Sequence, residues 1–319
     1  WRWRVLSTTL SPTMTHANHP LLRLLGACML FGLMLVQGAS AQAVADAPPG
    51  SSDDTAASLK TKYQSLQSQL ANNPFKRRIS LVSTESSSKL AGDIYAVVDH
   101  PFNSVRDGLK SPASWCDVLM LHLNTKQCLV KNEGGSPTLA VALGRKFDQP
   151  LSEAQVVTFK FRQAAATDDF LDARLSADQG PLSTRNYSIV LTGTPIDGGK
   201  SFIHLSYSYA YGTAARLAMQ AYLATLGSDK VGFTATGKEA DGSPQYIGGV
   251  RGVVERNTMR YYLAIDSFLD FPAAADQEKR FASWFDATEQ YAKQLHETER
   301  TDYLAMKRNE YRRMKDGGN

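Results

Sequence analysis

Asp93-Ile-Tyr-Ala-Val-Val-Asp-His100, Pro101-Phe-Asn-Ser-Val-Arg-Asp-Gly-Leu109 and Lys110-Ser-Pro-Ala-Ser-Trp-Cys-Asp-Val-Leu119 are the consecutive pieces whose reading decides the fold. The first has the composition of a strand, and Pro101 stands where a first helical residue is tolerated, because its missing N–H would have no intrahelical partner there. Phe102, Val105 and Leu109 then fall on one helical face. Ser111-Pro112 ends that helix, and Cys116, Trp115 and Leu119 open a second apolar face. The stretch predicts a strand, a short helix and a second short helix closed by a tryptophan.

Upstream, Leu59, Tyr63, Leu66 and Leu70 recur at helical spacing behind an Asp53/Asp54 cap, and the helix should end near Asn72-Asn73-Pro74. Arg78 to Thr84 alternates as a strand, and Ser86-Ser-Ser-Lys89 turns it back. Downstream, six segments alternate with a period of two: 120–131, 138–146, 155–163, 170–177, 186–194 and 201–211. Turn residues at Gly134-Gly135, Asp178 to Pro181 and Pro195 to Gly199 separate several of them, as in an antiparallel meander with one dry and one wet face. Val157, Phe159 and Phe161 share a face, as do Ile203, Leu205, Tyr207, Tyr209 and Tyr211, opposite His204, Ser206 and Ser208. Ala214 to Leu226 is a helix with Leu217, Tyr222 and Leu226 as core contacts, and a hairpin follows across Asp241-Gly242. Val250 to Leu269, with Val254, Tyr261, Tyr262, Ile265, Phe268 and Leu269 at spacings of three and four, is a long helix. Gln277 to Leu295, carrying Phe281, Trp284, Phe285 and Tyr291, is another.

The strand, helix, helix opening followed by a meander resembles the START-like helix-grip superfamily of lipid-transfer domains and polyketide cyclases over residues 76–271. The resemblance implies an α+β fold in which a curved antiparallel sheet wraps a long C-terminal helix around a cavity for an apolar ligand. The extra N- and C-terminal helices, in residues 44–75 and 272–319, depart from that pattern. On the resemblance, Trp115, Phe159, Phe161, Tyr207, Tyr209, Tyr211 and Tyr262 are the candidate ligand contacts, the tyrosines offering rings for an apolar body and hydroxyls for a head group. Plain core packing is the competing account of the same rings. The resemblance implies an apolar small molecule or lipid as partner and no cofactor.

Residues 1–43 have the parts of a secretory leader. Met14 suits a translation start, with residues 1–13 upstream of the native chain. Arg23 precedes the apolar run Leu24 to Val36, and small residues at Ala39, Ala41 and Ala43 suit a signal peptidase. The run is shorter than the ~20 residues of a spanning helix. The Ala, Pro, Gly, Ser and Asp-rich segment 44–53 reads as a tether. A periplasmic or secreted protein is expected.

Without the leader, which takes Arg2, Arg4 and Arg23, 32 basic residues face 31 acidic ones, a balance that gives nucleic acid no hold. Cys116 and Cys128 remain, and an oxidising compartment favours their pairing between the second short helix and the next strand. Two buried thiols are the alternative, since sequence does not fix their separation.

No constellation for chemistry stands out. Gly193 to Ser201 imitates a phosphate loop, but it contains Pro195, is one residue too long and joins two strands rather than leading into a helix. Cys116 beside His100 or His122 lacks any glycine elbow or cysteine-protease signature. His100 reads as a capping or loop residue, and His204 as a residue on the solvent or mouth side of its strand. There is no closely spaced Cys/His set, HExxH or calcium loop. Arg251, Glu255, Arg256 and Arg260 read as a solvated face or the cavity mouth. Lys307, Arg308, Arg312, Arg313 and Lys315 form a basic end, either cations at a helix C-terminus or a peripheral membrane contact. A non-catalytic carrier is the leading expectation. The alternatives are a cyclase- or hydratase-like enzyme using Tyr209 or His204, and an envelope protein whose flanking helices bind an unknown protein partner.

Overall fold

The computed structural model describes residues 54–133, 135–224 and 229–316. The leader, the tether up to Asp53, Leu226 and the Tyr222 side chain lie outside the described residues.

Helix α1 (Ala56–Ala71) is followed by β1 (Ile79–Glu85) and β2 (Lys89–Val98), then by the two short helices α2 (Phe102–Leu109) and α3 (Pro112–Leu119). The meander comprises β3 (Thr125–Glu133), β4 (Ser136–Leu143), β5 (Gln155–Ala166), β6 (Leu171–Gln179), β7 (Thr184–Ile196) and β8 (Lys200–Tyr211). After it come α4 (Thr213–Ala224), a hairpin of β9 (Ala235–Lys238) and β10 (Pro244–Tyr246), and α5 (Gly249–Asp270). Helices α6 (Gln277–Glu289), α7 (Ala292–Leu295) and α8 (Arg300–Asp316) close the chain.

The eight long strands form one curved antiparallel sheet in the order β1-β2-β8-β7-β6-β5-β4-β3. Strand β8 returns to pair with β2 while β3 to β7 follow as simple hairpins, so α2 and α3 span the gap that the β2-to-β3 step creates. Ser111 caps α3 by accepting from Ser114 N, and Pro112 sits in its first turn. Trp115 is buried and donates from Nε1 to Leu109 O at 2.9 Å, locking α3 against the end of α2. The Cys116–Cys128 disulfide joins α3 to β3, with a Cα separation of 5.3 Å.

The long helix that occupies the grip is α5, which rests on β1, β2 and β8. Its approach is closest at Gly92, where a Cβ would stand 2.3 Å from Thr258 Oγ1. A glycine on β2 therefore lets the helix sit down on one side of the sheet, and on the other side the space beneath it stays open.

The flanking helices lie on the domain. Leu59, Leu66 and Leu70 of α1 pack on Val97 and Phe202 on the sheet's outer face, a smaller cluster separate from the main core. Phe281, Trp284 and Phe285 of α6 join the main core, where Trp284 stacks on Tyr303 of α8 with centroids 5.1 Å apart. The expected single helix from Gln277 to Leu295 is broken at Gln290-Tyr291, and the Tyr291 hydroxyl donates to Phe75 O. Leu217 is exposed on α4 instead of buried. Thr55, rather than Asp53 or Asp54, caps α1 through a reciprocal capping box with Ser58.

Candidate functional site

Between α5 and strands β4, β5, β7 and β8 lies a cavity of about 580 Å³. Strand alternation supplies its floor: Val141 and Leu143 from β4, Phe159 from β5, Tyr187 from β7, Tyr207 and Tyr209 from β8. Val253, Asn257 and Tyr261 of α5 form the roof, at spacings of four that keep them on one helical face. Met219 of α4 and the 119–125 segment complete the wall, and the exposed residues Arg145, Glu153, Gln155 and Leu182 mark the mouth.

Aromatic rings dominate the lining. Tyr187 stacks on Tyr209 with centroids 5.2 Å apart, Tyr207 tilts against Tyr261 at 5.2 Å, and Phe159 meets Tyr187 edge-on at 6.3 Å. Gly180 makes room for the Tyr187 ring, since a Cβ there would fall 2.3 Å from it. The Tyr187 hydroxyl shares a 2.8 Å bond with Thr184 Oγ1, and Tyr207 is bonded to the Asn257 side chain. Burial raises the hydroxyls of Tyr187, Tyr207, Tyr209 and Tyr261 above the usual phenol range, so all four stay protonated.

His122 is the ionisable group that sequence reasoning passed over as a site residue. It stands in the cavity wall, nearly fully buried, with its ring stacked on Tyr261 at 5.2 Å. Burial, joined by the nearby charges of Arg260, Lys307, Lys146 and Lys126, pushes it well below the usual histidine range, which makes it neutral. Its Nδ1 accepts from the backbone N–H of Asn124 at 3.2 Å, which leaves the ring proton on Nε2.

The segment that carries His122 is fixed from behind by a buried charge cluster. Lys126 Nζ and Lys307 Nζ each lie 2.8 Å from one oxygen of the Glu310 carboxylate, and all three side chains are essentially without solvent contact. Lys307 also donates to His122 O at 2.7 Å and Thr125 O at 2.9 Å, while Lys126 donates to Leu123 O and Phe147 O. Burial lowers the Lys307 ammonium to about 8, with Glu310 opposing the shift. Tyr303 adds a bond from its hydroxyl to Leu121 O. Lys307 is thus an interior group rather than a helix-terminal cation or a membrane contact, whereas Arg313 lies near the surface, paired with Asp148 at 2.6 Å.

Glu255, Arg256 and Arg260 of α5 are likewise buried and Arg251 is half-buried, contrary to the solvated-face reading. Glu255 is buried and accepts from Ser83 Oγ and from the backbone N–H groups of Phe233 and Thr234. Arg260, also buried, donates to Glu297 at 2.8 Å, and Lys146 and Lys230 bind the same carboxylate. Burial would raise Glu297, but Arg260 and the two lysines hold it down at about 2.

Of the seven proposed ligand contacts, Phe159, Tyr207 and Tyr209 line the cavity. Trp115 and Phe161 belong to the surrounding core and not to the lining. Tyr211 lies beyond the lining and donates its hydroxyl to Ser86 O at 2.8 Å. Tyr262 sits on the α5 flank that faces Arg77 and Asp266, since α5 turns Tyr261 and not its neighbour toward the open space. The helix periodicity allowed either tyrosine; which one faces the hollow depends on where α5 lands on the sheet.

His204 is neither at the mouth nor in the cavity. It is buried on the outer face under α1, with Nδ1 2.7 Å from Asp54 Oδ2, Nε2 2.9 Å from Asp93 Oδ1, and Tyr95 stacked on it at 4.1 Å. Burial alone would lower His204, but its two carboxylates raise it. Burial would raise Asp54, but His204 and the Thr192 hydroxyl bring it below the carboxylate range. His100 caps no helix through its ring; it pairs with Asp270 at 3.2 Å. Gly193 to Ser201 is the β7-β8 hairpin, with Gly198 and Gly199 at positive φ. Among the described residues, no three His, Cys, Asp or Glu side chains stand together as a metal site, and no helix is long and apolar enough to cross a membrane.

No protein-family profile matches the chain, and no curated protein sequence does. Among solved structures, truncated norcoclaurine synthase from Thalictrum flavum aligns at 12% identity over 46% of this chain and 91% of that one, with a TM-score of 0.31. Human StAR-related lipid transfer protein 5 aligns at 9% over 49% and 82%, with a TM-score of 0.26. A Streptomyces aromatase/cyclase aligns at 11% over 67% and 96%, with a TM-score of 0.27. By its own strand order, its pair of short helices after β2 and the long helix lying on its curved sheet, the chain has a helix-grip fold.

Proposed function

We propose that this chain is an exported START-like protein that binds or carries an apolar small molecule, such as a lipid, without acting on it chemically. The observation that carries the reading is the cavity under α5: about 580 Å³, floored by aromatic and aliphatic side chains, within the ~300–1,000 Å³ of small-molecule sites. Its buried ionisable groups are held neutral, which suits an apolar guest and leaves no charged base or nucleophile inside. The His122 Nδ1 lone pair is already taken by Asn124 N–H, so the imidazole has none to accept a substrate proton. His204, the other candidate base, is on the far side of the sheet. These points weigh against the cyclase or hydratase alternative. The interaction-protein alternative is weakened because α1 and α6 spend their apolar stripes on the domain itself.

Export is supported by the leader-like residues 1–43 and by the Cys116–Cys128 bond, which an oxidising compartment preserves. The near balance of charge in the mature chain supports no nucleic-acid partner. Native mass spectrometry of the purified protein, followed by organic extraction, tests the reading: a co-purifying lipid-like mass is expected. A protein that carries none, and takes up no neutral fluorescent probe, refutes it. Tyr209→Asp, which puts a carboxylate in the cavity floor, should abolish probe uptake.

A further inference from the structure

Two buried donors in the cavity wall have no acceptor among the described residues: Nε2 of His122 and Nε2 of Gln149. A buried N–H left unmatched costs free energy, so each is an anomaly in the cavity wall. Their orientation is set by the opposite end of each side chain. Asn124 N–H donates to His122 Nδ1 at 3.2 Å, and Arg145 N–H donates to Gln149 Oε1 at 2.7 Å, which turns the NH2 end of the amide away from that bond. The two sites are joined through Asn124 and Gly144, because Gly144 N–H donates to Asn124 O and the Asn124 side-chain Nδ2 donates to Gly144 O. Gly144 also leaves the space that Gln149 fills; a Cβ there would lie 2.6 to 2.8 Å from the amide atoms.

The charges around this corner favour one kind of guest. Arg260, Lys307, Lys146 and Lys126 all act on His122, and the carboxylates bonded among them, Glu297 and Glu310, are fewer than the cations. The excess is positive, and the two unmatched buried nitrogens are donors. We propose that the cavity takes an amphiphile whose head group is an oxygen acceptor, a carboxylate foremost, held by His122 Nε2–H and the Gln149 amide, with its apolar body over the tyrosine floor. Both nitrogens are buried, so neighbouring side chains shift slightly when the head group arrives. The inference rests on the binding reading above and adds the chemistry of the ligand: a long-chain acid is accepted, its amine counterpart is refused.

The test uses the purified protein at pH 7 with neutral N-phenylnaphthylamine as a fluorescent cavity probe, displaced by dodecanoate, dodecanol or dodecylamine. Dodecanoate should compete at roughly tenfold lower concentration than dodecylamine, the scale of one charge-assisted hydrogen bond. Gln149→Glu keeps the acceptor for Arg145 N–H but replaces the donor with an oxygen. It should weaken dodecanoate about tenfold and improve dodecylamine. Gly144→Ala, which pushes the amide aside, should weaken dodecanoate and narrow its advantage over dodecylamine. If the probe binds and dodecylamine competes as well as dodecanoate, or Gln149→Glu changes neither, the head-group assignment is wrong and the cavity reading survives. If the wild-type protein binds no probe at all, both fall.

Discussion

Replacing Glu310 with glutamine tests the buried cluster behind the cavity wall. The substitution keeps volume and removes the carboxylate that lies 2.8 Å from both Lys126 and Lys307, leaving two ammonium groups without a counter-charge. Removing one partner of a buried ion pair costs about 3–5 kcal/mol. Here each lysine keeps two backbone carbonyls, Leu123 O and Phe147 O for Lys126, His122 O and Thr125 O for Lys307, so hydrogen bonding is largely preserved and the loss is one of neutralisation. That places the cost near the lower end, about 3 kcal/mol, a large share of the ~5–15 kcal/mol of a whole domain. Urea melts should show the midpoint falling at unchanged slope. The deficit should also shrink as pH rises toward about 8, because loss of Glu310, which holds the Lys307 ammonium up, lets the variant shed that proton before wild type does. Lys307 titrates at about 8 in the folded protein against 10.5 when free. Between those values the unfolded chain holds the proton and the folded one has shed it, so stability climbs with pH in both proteins alike and the deficit holds steady. A Lys126→Met, Glu310→Leu, Lys307→Met triple variant, with no charge to neutralise, should recover most of the loss. A Glu310→Gln protein within about 1 kcal/mol of wild type, the level of an exposed pair, would refute the claim that the cluster depends on charge balance.

Three further outcomes are expected. The α1 strap should be firmest between the lowered Asp54 value and the raised His204 value. Its contribution is lost at acid pH as Asp54 protonates and at alkaline pH as His204 gives up its charge; hydrogen exchange of α1 across pH reads this, and Asp54→Asn should flatten the profile. Gly92→Ala should destabilise by about 1–3 kcal/mol through overpacking against Thr258, with partial rescue by Thr258→Ala, measured as a double-mutant cycle of melts. Reducing the Cys116–Cys128 bond should lower stability by roughly 3 kcal/mol for so short a loop, and coincident melts with and without reductant would contradict that.

The sequence made the architecture readable because its periods were clean. The meander segments differ from the observed strands by a few residues, the long helix from 250 to 269 is α5 almost end to end, and the cysteine pair is bridged. Phe159, Tyr207 and Tyr209 could be placed at the cavity because strand alternation fixes a face. What failed to read were features that depend on which element covers which face. His204 alternates outward and so looked wet, but α1 lies over it and brings Asp54 with it. Tyr261 and Tyr262 were equivalent until α5 was seated through Gly92. Lys307 and Glu310 are three apart, a spacing as common on exposed helices as on buried ones, and only the distant Lys126 makes them an interior cluster. His122 and Gln149 carried no local signal, since their acceptor atoms are occupied by backbone groups of a loop.

The tie between α8 and the 121–125 segment spans more than 180 positions of chain. Contacts so distant are among the last that a growing polypeptide can make. A ribosome must therefore release almost the whole protein before the pocket's back wall can set. A version cut short ahead of Arg300 would leave Lys126 interred beside carbonyls alone, and His122 on a strip of backbone with nothing behind it.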